Sequence, residues 1–429
     1  MEIHTLHKYF LNCSAACTDT RNISKNSMFF ALKGTHFDGN SFAAEALKLG
    51  AKYVVIDNPQ YAVNEQTIVV NSVLETLQNL ATYHRHYLGI PILALTGSNG
   101  KTTTKELING VLSQQFKTSA TKGNLNNHIG VPLTLLAMTT DTEIGIVEMG
   151  ANHQKEIAFL CNIAQPDYGY ITNFGKAHLE GFGGVDGVIK GKSEMYDYLI
   201  THNKYIFINA DDPIQVSKTK TARIIPFGTK KNQKYTLITL LEANPFVCVK
   251  FKDQVINSHL IGAYNFNNIA AAISIGLYFK VPFKSIKKAI ELYVPTNNRS
   301  QIISREKTTL ILDAYNANPS SMAAALHHFA LQKETPKTAI LGDMFELGSA
   351  SEEEHDAISS LAVSLPIDQI ILIGSHFFQT KTTHAKIERY KTFNDFKTNF
   401  KPQALMGGLT LIKGSRGMAL ERVLDLIAQ

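Results

Sequence analysis

Thr96-Gly97-Ser98-Asn99-Gly100-Lys101-Thr102-Thr103-Thr104 carries the densest chemistry in the chain. Glycines at 97 and 100 let the backbone turn tightly and aim its N–H groups inward, and a helix starting at Lys101 adds its positive end. With Ser98, Asn99 and Thr103 such a loop cradles phosphates. Lys101 suits the β- and γ-phosphates of a nucleotide, and the Thr102 hydroxyl suits Mg²⁺. The generic pattern has a further glycine five positions before Gly100, where this chain has Leu95. A glycine-rich turn with an incidental lysine is the plainer reading, but a strand-length apolar run, Ile92–Thr96, precedes the loop and a helical pattern, Lys101–Leu112, follows it. A phosphate loop also needs an acidic metal ligand nearby. Glu148 closes the apolar run Ile144–Val147 and so emerges at the carboxyl end of a strand, where α/β sheets bind ligands. A solvent-facing carboxylate at a strand end is the alternative.

The elements that must hold these residues alternate between strand and helix. Beyond Ile92–Thr96 and Ile144–Val147, buried-strand runs occur at Tyr168–Ile171 and Tyr205–Ile208, with helical segments between. This alternation predicts a mostly parallel sheet covered on both faces. Residues 1–86 read as a small α/β module with strands at Asn26–Leu32 and Tyr53–Ile56 and helices near Ser41–Leu49 and Val73–Tyr87. Residues 87–296 form the central nucleotide-binding unit. Residues 297–429 form a third, Rossmann-like α/β unit. Its strands are expected at Thr309–Leu312, Thr338–Leu341, Gln369–Ile373 and Leu409–Ile412, and its helices at Ser320–Leu331, Ser351–Val363 and Met418–Ala428. The fold class is α/β in three domains, consistent with 429 residues at roughly 100–200 per domain.

Composition narrows the function. The chain is 44% hydrophobic with a net charge of +6 and no dense Lys/Arg run, so a nucleic-acid partner is not expected. No run approaches the length of a membrane span, and Met1-Glu2-Ile3-His4 does not open a signal peptide. Cys13, Cys17, Cys161 and Cys248 are too scattered for a disulfide framework or a zinc site. A reduced, cytoplasmic, monomeric enzyme is expected.

Several further segments complete a pattern. Asn124-Leu125-Asn126-Asn127-His128-Ile129-Gly130-Val131-Pro132, Glu148-Met149-Gly150-Ala151, Asn173-Phe174-Gly175-Lys176-Ala177-His178-Leu179-Glu180 and Asn209-Ala210-Asp211-Asp212-Pro213 follow the phosphate loop in order. Asp313-Ala314-Tyr315-Asn316-Ala317-Asn318-Pro319, Leu341-Gly342-Asp343-Met344 and Lys413-Gly414-Ser415-Arg416 follow in the last third. Together they resemble the Mur ligases, whose phosphate loop lacks the first Walker glycine. The resemblance spans nearly the whole chain. It points within the family to the members that join D-alanyl-D-alanine to UDP-N-acetylmuramoyl-tripeptide, making those two molecules the implied partners. Two positions depart from the pattern. Tyr264 stands where the family commonly has His before Asn265, and Asn298 stands where Gly usually precedes Arg299.

The resemblance implies an ATP-dependent amide ligase that passes through an acyl phosphate with two Mg²⁺ ions. Lys101, His178 and Lys192 are then catalytic. Thr102 and Glu148 hold one ion, and His178 and Lys192 serve the second. Lys192 matches the family lysine that CO₂ carbamoylates, a change that turns a cation into an oxygen donor; Lys190 is the competing assignment. Asn265 and Asn268 are implied near the adenine, Arg299 towards phosphate and Asp313 towards ribose. Arg21 and Lys33 are implied at the diphosphate of the uridine nucleotide, and Asn127 at the same substrate. Tyr315, Asn316 and Asn318 are expected to position the dipeptide, with Lys413, Ser415 and Arg416 as further candidates. The competing functions are another Mur-type ligase, a folylpolyglutamate synthase-like ligase, or a nucleotide-binding regulatory protein. The Asp-Asn-Pro-Arg signature of the ligase that adds the third amino acid is absent.

Overall fold

The computed structural model describes residues 1–230, 235–296, 298–305, 308–401, 405 and 408–427. The chain is α/β in three lobes, each built on its own sheet. The first sheet runs Ala16–Cys17, Met28–Phe30, Tyr53–Ile56, Thr67–Val69, all parallel. Side chains on a strand alternate between faces. Accordingly Met28, Phe30 and Val55 join the cluster of Leu77, Leu80 and Ala81 on the helix Val73–Leu88, while Phe29, Val54 and Ile56 pack on Ala43 and Ala46. The strand expected at Asn26–Leu32 is confined to Met28–Phe30.

The helix Val73–Leu88 begins at Ser72, whose hydroxyl accepts from Glu75 N, and ends at Gly89 in the left-handed region. It binds the first lobe to the second. Gln78 donates to the His128 carbonyl at 3.0 Å, and Arg85 pairs with Asp167 at 2.7 Å.

The central sheet has nine strands, and Ile92–Thr96 lies between Tyr168–Ile171 and Ile144–Glu148. The paired strands from Thr118–Ala120 across to Thr236–Glu242 are parallel. The sheet then continues as an antiparallel meander through Phe246–Phe251 and Gln254–Ile261. This extension was not expected from the sequence. Its alternation is weak, because Leu237 and Leu241 face solvent while Val247 and Val249 face the core.

The third sheet runs Gln301–Arg305, Thr308–Asp313, Leu409–Lys413, Lys337–Gly342, Gln369–Ile373, Ile387–Tyr390, parallel except for the first pair. Asp313 and Lys413 therefore end adjacent strands at one edge. The helix expected at Met418–Ala428 is instead two 3₁₀ segments, Arg416–Met418 and Leu420–Leu426; Ala428 lies outside the described residues. Ala419, at φ +47°, breaks the run, and Leu420 and Val423 recur at the three-residue period of a 3₁₀ turn. All four cysteines are free thiols. Among the described residues no helix is long and apolar enough to cross a membrane.

Candidate active site

A cleft of about 860 Å³ opens where the second and third lobes meet. The buried strand Ile92–Thr96 delivers the chain to it, and Gly100 starts the helix Lys101–Leu112. Gly100 has φ +78°, and a Cβ there would fall 2.7 Å from Asn268 Oδ1, so only glycine fits. The loop is braced from the neighbouring strand end. Ser98 N donates to the Asn173 carbonyl, Asn99 N donates to Asn173 Oδ1, and Thr172 Oγ1 donates to the Asn99 carbonyl. Sequence reasoning quoted Asn173 within a motif and assigned it no role. Lys101 Nζ folds back onto the Gly97 carbonyl at 2.7 Å. Burial lowers its pKa, while the Glu148 carboxylate opposes that shift.

Glu148 lies at the strand end beside this loop, 1% exposed. Its Oε1 accepts from Asn126 Nδ2 at 2.9 Å and from Thr102 Oγ1 at 3.4 Å. Its Oε2 is buried with no hydrogen-bond partner. A carboxylate oxygen left so is costly unless a cation meets it. Thr102 and Glu148 together are oxygen donors of the kind Mg²⁺ takes, so this pair fits the metal that the loop implies.

His178 also lines the cleft, at φ +53°, and its Nδ1 bonds Glu346 Oε2 from the third lobe. That bond holds the Glu346 carboxyl below the usual range. Nothing in the local sequence marked Glu346. Lys192 sits in the helix Val185–Thr201, 1% exposed, with Nζ donating to the Ala151 carbonyl at 3.1 Å. Burial drives its pKa far down, with the charge of Lys101 adding to the effect. Lys190, the competing assignment, is exposed. As a free amine Lys192 is no oxygen ligand, so His178 and Lys192 do not form a set for a second ion as they stand.

Asn265 and Asn268 reach the cleft wall, but their hydrogen bonds run within the protein. Asn268 Nδ2 donates to Asn265 Oδ1, Asn265 Nδ2 donates to the Ile261 carbonyl, and Asn268 Oδ1 accepts from Thr104. Asn127 lines the cleft too, and its Oδ1 accepts from Ile129 N and Gly130 N.

The third lobe supplies the opposite wall. The Arg299 guanidinium stacks 3.7 Å from the Tyr315 ring centroid, and its Nε is buried without a partner. Asp313 is engaged on both oxygens, by Ser300 N at 3.2 Å and by Lys413 Nζ at 2.6 Å. Asn316 passes its carbonyl to Lys413 at 3.3 Å. Asn318 caps the helix Pro319–Ala330 with its side-chain carbonyl and sends its amide to Asn99. Arg21 and Lys33 are not brought to this cleft. In the first lobe they pair with Asp19 at 2.7 Å and Asp57 at 2.8 Å.

A cleft between two α/β lobes, with a phosphate loop on one side and an arginine on the other, defines a protein of the phosphate-loop class. The comparisons refine that class. Residues 95–276 match the Mur ligase middle domain, residues 298–416 the Mur ligase glutamate ligase domain, and residues 15–91 the Mur ligase family catalytic domain. The UDP-N-acetylmuramoyl-tripeptide–D-alanyl-D-alanine ligase of Bacillus subtilis is 34% identical over 96% of this chain and 92% of its own. The enzyme of the same name from Escherichia coli is 32% identical over 98% and 94%. Among solved structures, MurF from Acinetobacter baumannii superposes with a TM-score of 0.86 at 29% identity, covering 99% of this chain and 98% of its own. MurF ligase from Thermotoga maritima in complex with ADP gives 0.81 at 26%, covering 97% of each chain. The chain belongs to the Mur ligase family.

Proposed function

We propose that this chain is an ATP-dependent ligase of MurF type, joining D-alanyl-D-alanine to UDP-N-acetylmuramoyl-tripeptide in peptidoglycan precursor synthesis. The observation that carries it is the partnerless Glu148 Oε2 beside Thr102, at a phosphate loop that a second lobe covers. The dipeptide is assigned from the full-length relatives that bear that name.

In this reading Lys101 leaves the Gly97 carbonyl for the phosphates of ATP, and the helix N-terminus behind Gly100 supports the same charge. Thr102 and Glu148 would hold one Mg²⁺, which would neutralise phosphate charge, and a second ion served by His178 and Lys192 would offset repulsion between the γ-phosphate and the incoming carboxylate. The peptide carboxylate oxygen attacks the γ-phosphorus, and the bond to the β-phosphate oxygen breaks, giving ADP and an acyl phosphate. The dipeptide amine then attacks the acyl carbon, losing a proton as phosphate departs. Arg299 approaches the phosphates from the third lobe, and Tyr315, Asn316 and Asn318 stand where the dipeptide enters. Closure of that lobe shields the acyl phosphate from water. Arg21 and Lys33 serve the uridine nucleotide in the first lobe. Burial lowers the Lys192 pKa, which favours the neutral amine that reacts with CO₂, and carbamoylation there would supply an oxygen ligand beside His178.

The test is phosphate release from ATP with UDP-N-acetylmuramoyl-tripeptide. Release with D-Ala-D-Ala, and none with glutamate or a single amino acid, is the expected result. Release with glutamate alone would favour the folylpolyglutamate synthase-like reading.

A further inference from the structure

One place where this chain departs from its family's pattern, Tyr264, lies against the turn that holds the other, Asn298. The Tyr264 hydroxyl is 2.9 Å from Ser300 Oγ, in the Asn298-Arg299-Ser300 turn. Tyr264 belongs to the turn before the helix Phe266–Tyr278 of the second lobe, beside Asn265. Ser300 immediately precedes the strand Gln301–Arg305 of the third.

Both partners are held in place. The Tyr264 ring lies across Gly262, where φ is +83° and an added Cβ would fall 2.3 Å from the ring. Asn298 and Ser300 have φ +56° and +51°, left-handed backbone that persists only where its surroundings fix it. From Ser300 the bonding continues inward. Ser300 N donates to Asp313 Oδ1, Asp313 Oδ2 accepts from Lys413 Nζ, and Lys413 also donates to the Asn316 carbonyl. Lys413 is 2% exposed, so this ion pair is shielded from water on its cationic side. The path therefore starts in the phosphate-loop lobe, crosses to the third lobe at Ser300, and ends beside Asn316, which follows the strand Thr308–Asp313.

We propose that Tyr264, through Ser300, is a positioning residue for dipeptide capture: its hydroxyl sets how the strand ends of the third lobe stand against the nucleotide side of the cleft. This rests on the ligase reading above. A side chain without a hydroxyl at that reach leaves Ser300 tied to the third lobe alone, and the two walls lose this bond while Asn318–Asn99 and His178–Glu346 remain. Continuity in space is not coupling, so a double-mutant cycle is required.

The experiment compares the full chain with Tyr264→Phe, Ser300→Ala and the double variant. Each is assayed for ligation at varied D-Ala-D-Ala and for ADP binding by calorimetry. Each single variant is expected to lower kcat/KM for the dipeptide about 3–10-fold, the worth of one hydrogen bond. The double variant falls no further than the worse single one, and ADP affinity stays within about twofold, because the ring at 264, the Ser300 N–H to Asp313 and the stacking of Arg299 on Tyr315 are all kept. Losses that multiply in the double variant, single variants with parental dipeptide kinetics, or ADP affinity falling in step with kcat/KM would each overturn the proposal. If Ser300→Ala melts well below the parent, Ser300→Gly replaces it; glycine suits the backbone at φ +51° and equally lacks the hydroxyl. A parent chain that does not ligate overturns the ligase reading and this inference with it. A parent that ligates, with multiplying variants, overturns this inference alone.

Discussion

Asn318 of the third lobe donates its side-chain amide to Asn99 Oδ1 in the phosphate loop at 2.7 Å. The same side chain accepts Ser321 N at 2.9 Å, so one residue both starts the helix Pro319–Ala330 and touches the loop. Replacing Asn318 by Asp separates the two tasks. Aspartate still caps the helix, so melting temperature is expected to change little. It cannot donate to Asn99, and kcat is expected to fall about 5-fold or more, as for a lost hydrogen bond with two oxygens now facing. Thermal melting together with steady-state ligation decides this. An unchanged kcat would remove the contact from the mechanism.

Glu148→Gln tests the metal reading from a different side. The amide keeps an acceptor for Asn126 and Thr102 but removes a buried negative charge that has an unpartnered oxygen. The metal-free protein is expected to melt close to the parent, because relief of the buried carboxylate charge is offset by its lost attraction for Lys101. Ligation is expected to fall about 100-fold or more, on the scale of losing one preorganised charge-stabilising group. Tightening of nucleotide binding by Mg²⁺, followed by calorimetry, should also disappear. A variant that still shows that tightening would place the metal elsewhere.

Lys192→Ala addresses carbamoylation. The parent amine is buried against the Ala151 carbonyl and the Phe182 ring, in space that a small carboxylate could enter once the side chain is cut back. Activity is expected to be lost and then partly restored by added acetate or formate. Full activity without any additive would exclude Lys192 from the reaction.

Stability should depend on pH through a buried histidine pair. His7 Nε2 and His84 Nδ1 are 2.9 Å apart, and His84 Nε2 meets the Met138 carbonyl at 2.9 Å. Burial, with His84 adding, brings His7 from 6.5 to about 4; burial likewise lowers His84, and it brings His328 to about 4. Below the unfolded value of 6.5 the unfolded chain therefore binds more protons than the folded one, and stability falls as pH drops towards 4. Melting temperature should decline between pH 7 and 5. His7→Leu should make that decline shallower while His84 and His328 maintain part of it. A melting temperature independent of pH over this range would contradict the buried, neutral assignment.

What the sequence made legible is what local geometry encodes. The phosphate loop could be read because strand, glycine turn and helix are contiguous, and Glu148 because it ends a buried run. Residues that matter through distant partners were invisible. Glu346 touches His178, and Ser300 touches Tyr264, only because two separately folded lobes meet. The burial of Lys192 follows from tertiary packing around Phe182, which no spacing of lysines reveals. The meander of Thr236–Glu242, Phe246–Phe251 and Gln254–Ile261 escaped notice because its outward side chains include apolar ones, which blurs the two-residue period. The C-terminal segment had helical composition, and a single left-handed residue at Ala419 split it.

The most direct measurement is a crystal structure of this chain with a non-hydrolysable ATP analogue and Mg²⁺. The account predicts the phosphates against the backbone of Gly97–Thr102, Lys101 Nζ moved from the Gly97 carbonyl to a phosphate oxygen, and an ion meeting both Thr102 Oγ1 and Glu148 Oε2. A nucleotide bound away from this loop, or an ion that leaves Glu148 Oε2 untouched, would contradict it.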